Sequence, residues 1–381
     1  MLSYRRLSLI FLAVPLVVLG TFAALTLVTN ASSGTPVELS RLINTDLVRA
    51  VQARLFYPFG ISFEHRVIIG PDGWLFHVNG NDQAIRYKRD RVSKSERRRA
   101  ERIGAQFTHW AEWFEARGAK QAFVMIAPDK DDIYTDILPR YAHAAPDNLA
   151  AVIRRSVDPR VLIDTIPILN AARERDDSWN VFLKTDTHWT MRAAWVAFDA
   201  LLDRMEPAFP DLVRPEAESI VFDPPVPLAA TDLASILRMR GALPDHDLPV
   251  TLPNERANSV AFIDYATGQV LQVDGSVPLD RNIEPIIARS SGALNQMRVL
   301  WLRDSFGGGM QQEMWALFSD VLQFNFSRAS GEQLAEIMER FQPDLVVITV
   351  VNRLTRHKAF RQTLPEPAAR TAVTVDASVG R

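Results

Sequence analysis

From Gln121 to Val351 the sequence alternates short apolar runs with amphipathic helical patterns, and this alternation is the tightest constraint on the fold. Gln121 to Ala127 reads as a strand, as do Val161 to Ile163, Arg298 to Leu302, Val321 to Phe326 and the β-branched Leu345 to Val351. Asn180 to Lys184 leads into a helix predicted from about Thr187 to Met205. A second helix follows from about Gly307, and a third covers Ser330 to Phe341. Strands separated by amphipathic helices indicate a parallel sheet covered on both faces. The expected fold class is α/β, a three-layer α/β/α sandwich around a flavodoxin-like parallel sheet.

Upstream, Arg66 to Phe76 reads as two short strands around a Pro-Asp-Gly turn. Ser93 with Glu96 forms a capping-box signature, which opens a long helix running to about Arg117. Residues 210–295 interrupt the rhythm and hold 10 of the 23 prolines. Within them Leu233 to Met239 is helical, and Ser259 to Tyr265 and Gln269 to Val273 suit a hairpin over Ala-Thr-Gly. Such an insertion serves either as a lid or substrate platform or as a structural elaboration.

The N-terminus constrains location. Leu7 to Thr29 is uncharged and follows Arg5 and Arg6. As a helix it spans ~34 Å, enough for a bilayer core of ~30 Å. It is longer than the apolar region of a cleavable signal, about 7–15 residues. The reading is a single-pass signal-anchor with the basic flank inside and the domain exported; a cleaved signal peptide exports the domain equally. The expected organisation is an anchor over 1–30, a linker or stalk over 31–61, a main domain over 62–362 and a flexible tail over 363–381. A formal net charge of -2 gives no global field that recruits nucleic acid. The absence of cysteine excludes disulfides, thiolate metal sites and cysteine nucleophiles.

Two segments carry chemistry. Lys184-Thr-Asp186-Thr-His188-Trp189 lies on a strand-to-helix connection, where a parallel sheet places its ligands. An acid two residues before an imidazole can orient one ring nitrogen and leave the other as a base. The tripeptide Thr108-His109-Trp110 repeats the motif inside the long helix, but Phe107 stands where the acid is needed, so His109 reads as a helix-face residue. The second segment is Val299 to Gly309, where Ser305 ends an apolar strand and precedes three glycines. Alone this is a nucleophile turn, a phosphate-binding loop or a plain connection. No Walker pattern accompanies it.

Together these segments resemble a known family. Asp-Thr-His-Trp, Arg-Asp-Ser-Phe-Gly and Gly-Pro-Asp-Gly-Trp-Leu-Phe are similar to blocks of the SGNH-hydrolase-like acetyltransferases that O-acetylate bacterial exopolysaccharides, the alginate O-acetyltransferase family. So are Ala127 to Tyr134 with Leu138-Pro139, Thr231-Asp-Leu233 and Pro343-Asp-Leu-Val-Val. The resemblance runs in ordered blocks over residues 62–357. It implies Ser305 as nucleophile, His188 as general base and Asp186 as its orienter. It further implies a polysaccharide acceptor, a separate membrane-bound acyltransferase as acetyl donor, and a periplasmic domain held at the inner membrane. Arg303 replaces the glycine of the commoner Gly-Asp-Ser form, and Asn352-Arg353 stands where Glu-Arg is expected.

Arg303, Lys130, Tyr134 and Asn352 are candidate substrate contacts, Asn352 also a candidate oxyanion donor beside the Ser305 backbone N–H. The basic run Arg86 to Arg102 attracts a polyanion or is a solvated helix face. No histidine cluster has metal-ligand spacing, and catalysis through Ser305 requires no metal or cofactor. The competing functions are a carbohydrate acetyl-esterase using the same residues and a non-catalytic polysaccharide-binding subunit of a secretion complex.

Overall fold

The structure, a computed structural model, describes residues 45–78, 84–255, 258–274 and 285–366. The apolar run Leu7 to Thr29, the first part of the stalk and the tail beyond Glu366 lie outside the described residues. Among the described residues no helix is long and apolar enough to cross a membrane. The chain divides into two compact units.

The larger unit holds residues 81–183, 187–227 and 246–381. Its elements in chain order are α1 (Lys94–Glu115), β1 (Gln121–Ala127), α2 (Leu149–Arg155), β2 (Leu162–Asp164), α3 (Thr165–Arg175) and α4 (Met191–Met205). There follow β3 (Val260–Asp264), β4 (Val270–Val273), β5 (Ile286–Ser290), β6 (Asn295–Arg303), α5 (Gln311–Leu317), β7 (Phe318–Asn325), α6 (Gly331–Phe341) and β8 (Leu345–Val351). Eight strands form one sheet in the order β4-β3-β5-β7-β6-β8-β1-β2.

From β7 to β2 every neighbour is parallel, whereas β4, β3 and β5 add antiparallel strands at one edge. The sheet is therefore mixed, not the parallel sheet expected. The departure lies in the proline-rich stretch. Its hairpin turns too tightly to permit a crossover, so β3 and β4 must run antiparallel. Residues 228–245 of the same stretch belong instead to the smaller unit.

β8 sits inside the sheet, and all seven of its residues are buried, which explains a run apolar but for Thr349, whose hydroxyl accepts from the Trp301 indole N–H at 3.0 Å. Val346, Ile348 and Val350 share one core with Ala122, Val124, Ile126, Leu300 and Leu302 beneath α1, α2 and α6. Burying side chains of this size contributes about 1.5–3 kcal/mol each. Helices also cover the opposite face: the Thr165 hydroxyl at the start of α3 donates to Ile126 O at 2.8 Å. There the Phe198 ring of α4 lies 6.3 Å from Phe318 of β7.

The capping box opening α1 is present, Ser93 and Glu96 satisfying each other's backbone N–H groups. α4 starts at Met191, later than expected, because the Thr190 side chain caps Ala193 N–H and leaves Thr187 to Trp189 as loop. The helix expected from Gly307 begins as a 3-10 turn over Ser305–Met310 before α5.

The smaller unit includes the helix Thr45–Phe56 and the antiparallel pair Val67–Ile69 with Leu75–His77. Their turn needs left-handed backbone at Asp72 (φ 51) and Gly73 (φ 81), the geometry that favours glycine. Val67 and Leu75 pack with Leu233, Leu237 and Met239, and Lys184–Asp186 joins this unit through Leu75 N–H donating to Lys184 O at 2.8 Å.

Candidate active site

Ser305 stands on the first turn after β6, and the chain works to fix that turn. Asp304 is 3% exposed and spends both carboxylate oxygens on backbone. Oδ1 accepts from Phe306 N–H at 2.9 Å, and Oδ2 from Val351 N–H at 2.8 Å. The nucleophile turn is thereby stapled to the end of β8. Burial raises the Asp304 carboxyl above its ordinary range, opposed by these two hydrogen bonds.

The glycines are steric necessities. A Cβ at Gly307 meets Arg303 Cδ at 2.6 Å, and one at Gly309 meets Ala194 Cβ and Trp189 Nε1 at 2.9 Å. Backbone passes directly over side chains at both places.

His188 is held on the loop before α4. Leu183 N–H donates to His188 O, and Phe182 bridges to Trp189. The Trp189 indole N–H donates to Phe306 O at 3.0 Å, which ties the histidine's neighbour to the serine's neighbour. The result is a hydrogen bond between His188 Nε2 and Ser305 Oγ at 2.9 Å. Ser305 is exposed, and His188 is half-buried against the Phe306 ring at 4.9 Å. The neutral tautomer protonated at Nδ1 leaves Nε2 free to accept the serine proton.

Asp186 belongs to the smaller unit and Thr187 to the larger, so the chain passes between units at the bond joining them. Asp186 is 9% exposed in the whole chain, and within its own unit Oδ2 accepts from Asp232 N–H at 2.8 Å. Next to it, Thr185 donates to Asp245 Oδ2 at 2.8 Å and pairs with the Thr231 hydroxyl. The Thr231-Asp-Leu233 block therefore holds the acid-bearing segment, a role its sequence alone did not disclose.

The remaining candidates are less accessible than expected. Arg303 is 1% exposed beneath the turn, with Nε donating to Gln323 at 3.0 Å, so it presents no surface to a ligand. The Tyr134 hydroxyl accepts from Val181 N–H at 2.9 Å, and its ring packs against Phe182. Lys130 is 4% exposed at the start of the short helix Lys130–Ile133. Asn352 is 1% exposed and donates to Asp132 at 2.9 Å.

Asn352 belongs to a buried charge cluster that the sequence did not reveal. Lys88 is 2% exposed, with Nζ 2.8 Å from Asp129 and 3.0 Å from both Asp131 and Asp132. Burial opposes its charge, but the three carboxylates outweigh that and hold its pKa well above the ordinary value. Arg353 pairs with Asp129 and lies over the Phe306 ring at 5.2 Å. The cluster fastens the loop after β1 to the end of β8, beside the Ser305 turn. The faint signal was three aspartates within four positions after a predicted strand, a pattern usually left to solvent.

Residues 67–251 match the family of the SGNH hydrolase-like domain of the acetyltransferase AlgX. The match includes Asp186 and His188 and ends before Ser305. No curated protein matches the chain. Among solved structures, PatB1 of Bacillus cereus with a sulfonyl adduct aligns at TM-score 0.55 and 12% identity, covering 77% of this chain and 97% of that one. A DHHW family protein from Eubacterium siraeum aligns at TM-score 0.54 and 10% identity, covering 79% and 99%. The O-acetyltransferase domain of Pseudomonas putida AlgJ aligns at TM-score 0.45 and 19% identity, covering 76% and 91%. At these identities the likeness of the first two is one of fold.

Proposed function

We propose that this chain, which is similar over residues 67–251 to the SGNH hydrolase-like acetyltransferase domain, is an O-acetyltransferase working through an acetyl ester on Ser305. The observation that carries the proposal is the 2.9 Å hydrogen bond from Ser305 Oγ to His188 Nε2. Nε2 takes the hydroxyl proton as Oγ attacks the acetyl carbonyl, and returns it to the departing donor oxygen. An acceptor hydroxyl then gives its proton to Nε2 and attacks the acyl carbon, and Nε2 passes that proton to the departing Ser305 Oγ. In this reading Asp186, two residues before the histidine, orients the imidazole. The Ser305 backbone N–H donates to the developing oxyanion.

The acceptor we propose is a polysaccharide hydroxyl, with acetyl groups delivered by a membrane-bound acyltransferase. Leu7 to Thr29 supports an inner-membrane anchor with the domain in the periplasm. An esterase would form the same acyl-serine, and the two differ in which nucleophile reaches it. Water is near 55 M, whereas a well-oriented bound hydroxyl reaches an effective molarity of about 10⁵ M. Given a chromogenic acetyl ester and exopolysaccharide fragments, the chain is expected to release more acetylated sugar than free acetate. Acetate alone, whichever fragments are supplied, replaces this reading with the esterase.

A further inference from the structure

At the end of the helix Thr45–Phe56 the smaller unit turns five apolar side chains to solvent: Leu55, Phe56, Phe59, Ile61 and Phe63. Phe59 is 75% exposed and Leu55 63%, whereas Val67 and Leu75 of the same unit are buried. Single exposed apolar residues are ordinary. Five within nine positions, three of them aromatic, form the kind of patch that marks an interaction surface.

The backbone fixes the shape of this patch. Gly60 adopts left-handed backbone (φ 69), and its N–H donates to Tyr57 O at 2.9 Å. Ile61 N–H donates to Phe56 O at 3.3 Å, so the helix ends in a closed glycine turn that carries Phe59. Ser62 Oγ donates to Glu64 O at 3.0 Å and accepts from Glu64 N–H at 3.2 Å, which sets the next bend. The Phe56 and Phe63 rings meet edge to face at 5.0 Å. Hydrogen-bonded turns therefore hold these side chains outward.

The surroundings of the patch are basic. A cavity of about 220 Å³ beside it is lined by Ile61, Phe63 and the buried Leu237 and Met239, together with the exposed Arg49 and His65. Arg49 and Phe56, seven positions apart, share one face of the helix. Arg54 is also exposed. The two acids between residues 45 and 66 are both engaged by Arg238 from elsewhere in the unit, Glu64 at 2.7 Å and Asp46 at 3.2 Å. Among the described residues Glu64 is the only carboxylate that lines the cavity.

Aromatic rings at a protruding turn with arginines beside them suit the headgroup zone of a bilayer, where such rings are enriched and anionic lipid attracts basic groups. Position in the chain selects lipid over a soluble protein. Thr29 ends the uncharged run 16 residues before Thr45, at most ~58 Å of extended chain. With that run inserted, the patch meets the membrane as a tethered neighbour, at an effective concentration of about the mM range. A contact too weak to recruit a free protein then suffices. We propose that Leu55, Phe56, Phe59, Ile61 and Phe63 enter the headgroup region of an anionic bilayer and seat the smaller unit on the membrane surface. The proposal rests on the inner-membrane anchor of the reading above, but docking and anchoring give separate signals.

The chain contains no cysteine, so Phe59→Cys takes a single environment-sensitive fluorophore. The labelled full chain is reconstituted in anionic phospholipid vesicles, with or without a lipid spin-labelled near its headgroup. The spin-labelled lipid should quench emission at least about 2-fold. About half of that effect should be lost when zwitterionic lipid replaces the anionic one. Adding Leu55→Ser and Phe63→Ser should abolish the quenching, while circular dichroism and retention on the vesicles after a high-salt wash stay unchanged. Both substitutions fall on exposed side chains, so the fold should survive them. A chain that stays on the vesicles with its label unquenched, or quenching that survives the two serines, overturns the docking and leaves the anchor standing. Quenching in native membranes but not with lipid alone gives the patch to a protein and also overturns the proposal. A chain washed from the vesicles strikes the anchor reading, and the proposal with it.

Discussion

The chain contains Thr-His-Trp twice, and the two copies live opposite lives. In α1, the Thr108 hydroxyl accepts from Asp158 N–H at 2.9 Å, His109 faces solvent, and Trp110 is fully buried against Phe114 and Phe360. In the loop before α4, His188 meets Ser305 and the Trp189 indole reaches Phe306 O. A tripeptide carries no chemistry by itself. The helix directs its histidine outward, whereas the loop aims its copy across the end of the sheet at another strand's turn.

The largest expected break in this comparison is His188→Ala. If Nε2 is the base, acetyl-ester turnover should fall by a factor on the order of 10⁶, as for loss of a triad base, with the fold retained by circular dichroism. Next comes Asp186→Asn. If the acid fixes the imidazole tautomer, kcat should drop by on the order of 10⁴ with little change in KM; an undiminished kcat removes Asp186 from the site. Trp189→Phe keeps the ring and deletes one hydrogen bond to the serine turn, so the loss should stay within about 10-fold. His109→Ala, the same residue in the silent copy, should leave activity unchanged in the same assay.

The pH profile needs a control, because the scaffold titrates too. Glu313 on α5 is 1% exposed, with neither carboxylate oxygen hydrogen-bonded among the described residues. Burial pushes its pKa up to about 8. The folded state therefore holds this proton more tightly than the unfolded chain. The stability it contributes is full below the ordinary glutamate range and is lost as pH rises through about 8. Tm should decline over that window, and Glu313→Gln should flatten the decline. A wild-type Tm that holds steady from pH 5 to 9 refutes the assignment. A fall in activity that survives in the Gln variant then belongs to the site.

Much of this was legible because periodicity reports burial. Leu345–Val351 and Gln121–Ala127 could be read to the residue, since a strand buried on both faces is almost wholly apolar, here but for Thr349 and the terminal Gln121. The antiparallel edge was not legible as part of the sheet, because β4 is exposed throughout and β3 buries only Phe262, and nothing local says where such a hairpin docks. Ser305 and His188 were visible as motifs. Their hydrogen bond was not, because it joins positions 117 apart in sequence. Asp304 shows no role in the sequence, since its partner, Val351 N–H, is invisible until β6 and β8 are neighbours. Lys88 was missed for a related reason. A lysine in a basic run signals a solvated face, and only the fold shows three aspartates around it.

The central claim is a covalent one, that Ser305 carries the acetyl group between donor and acceptor. Intact-protein mass spectrometry after brief mixing with a chromogenic acetyl ester, followed by peptide mapping, addresses it without knowledge of the acceptor. The account predicts one added acetyl group on the peptide containing Ser305, abolished by Ser305→Ala and slowed severely by His188→Ala. Turnover that persists in Ser305→Ala, or an acetyl group found only on another residue, would contradict it.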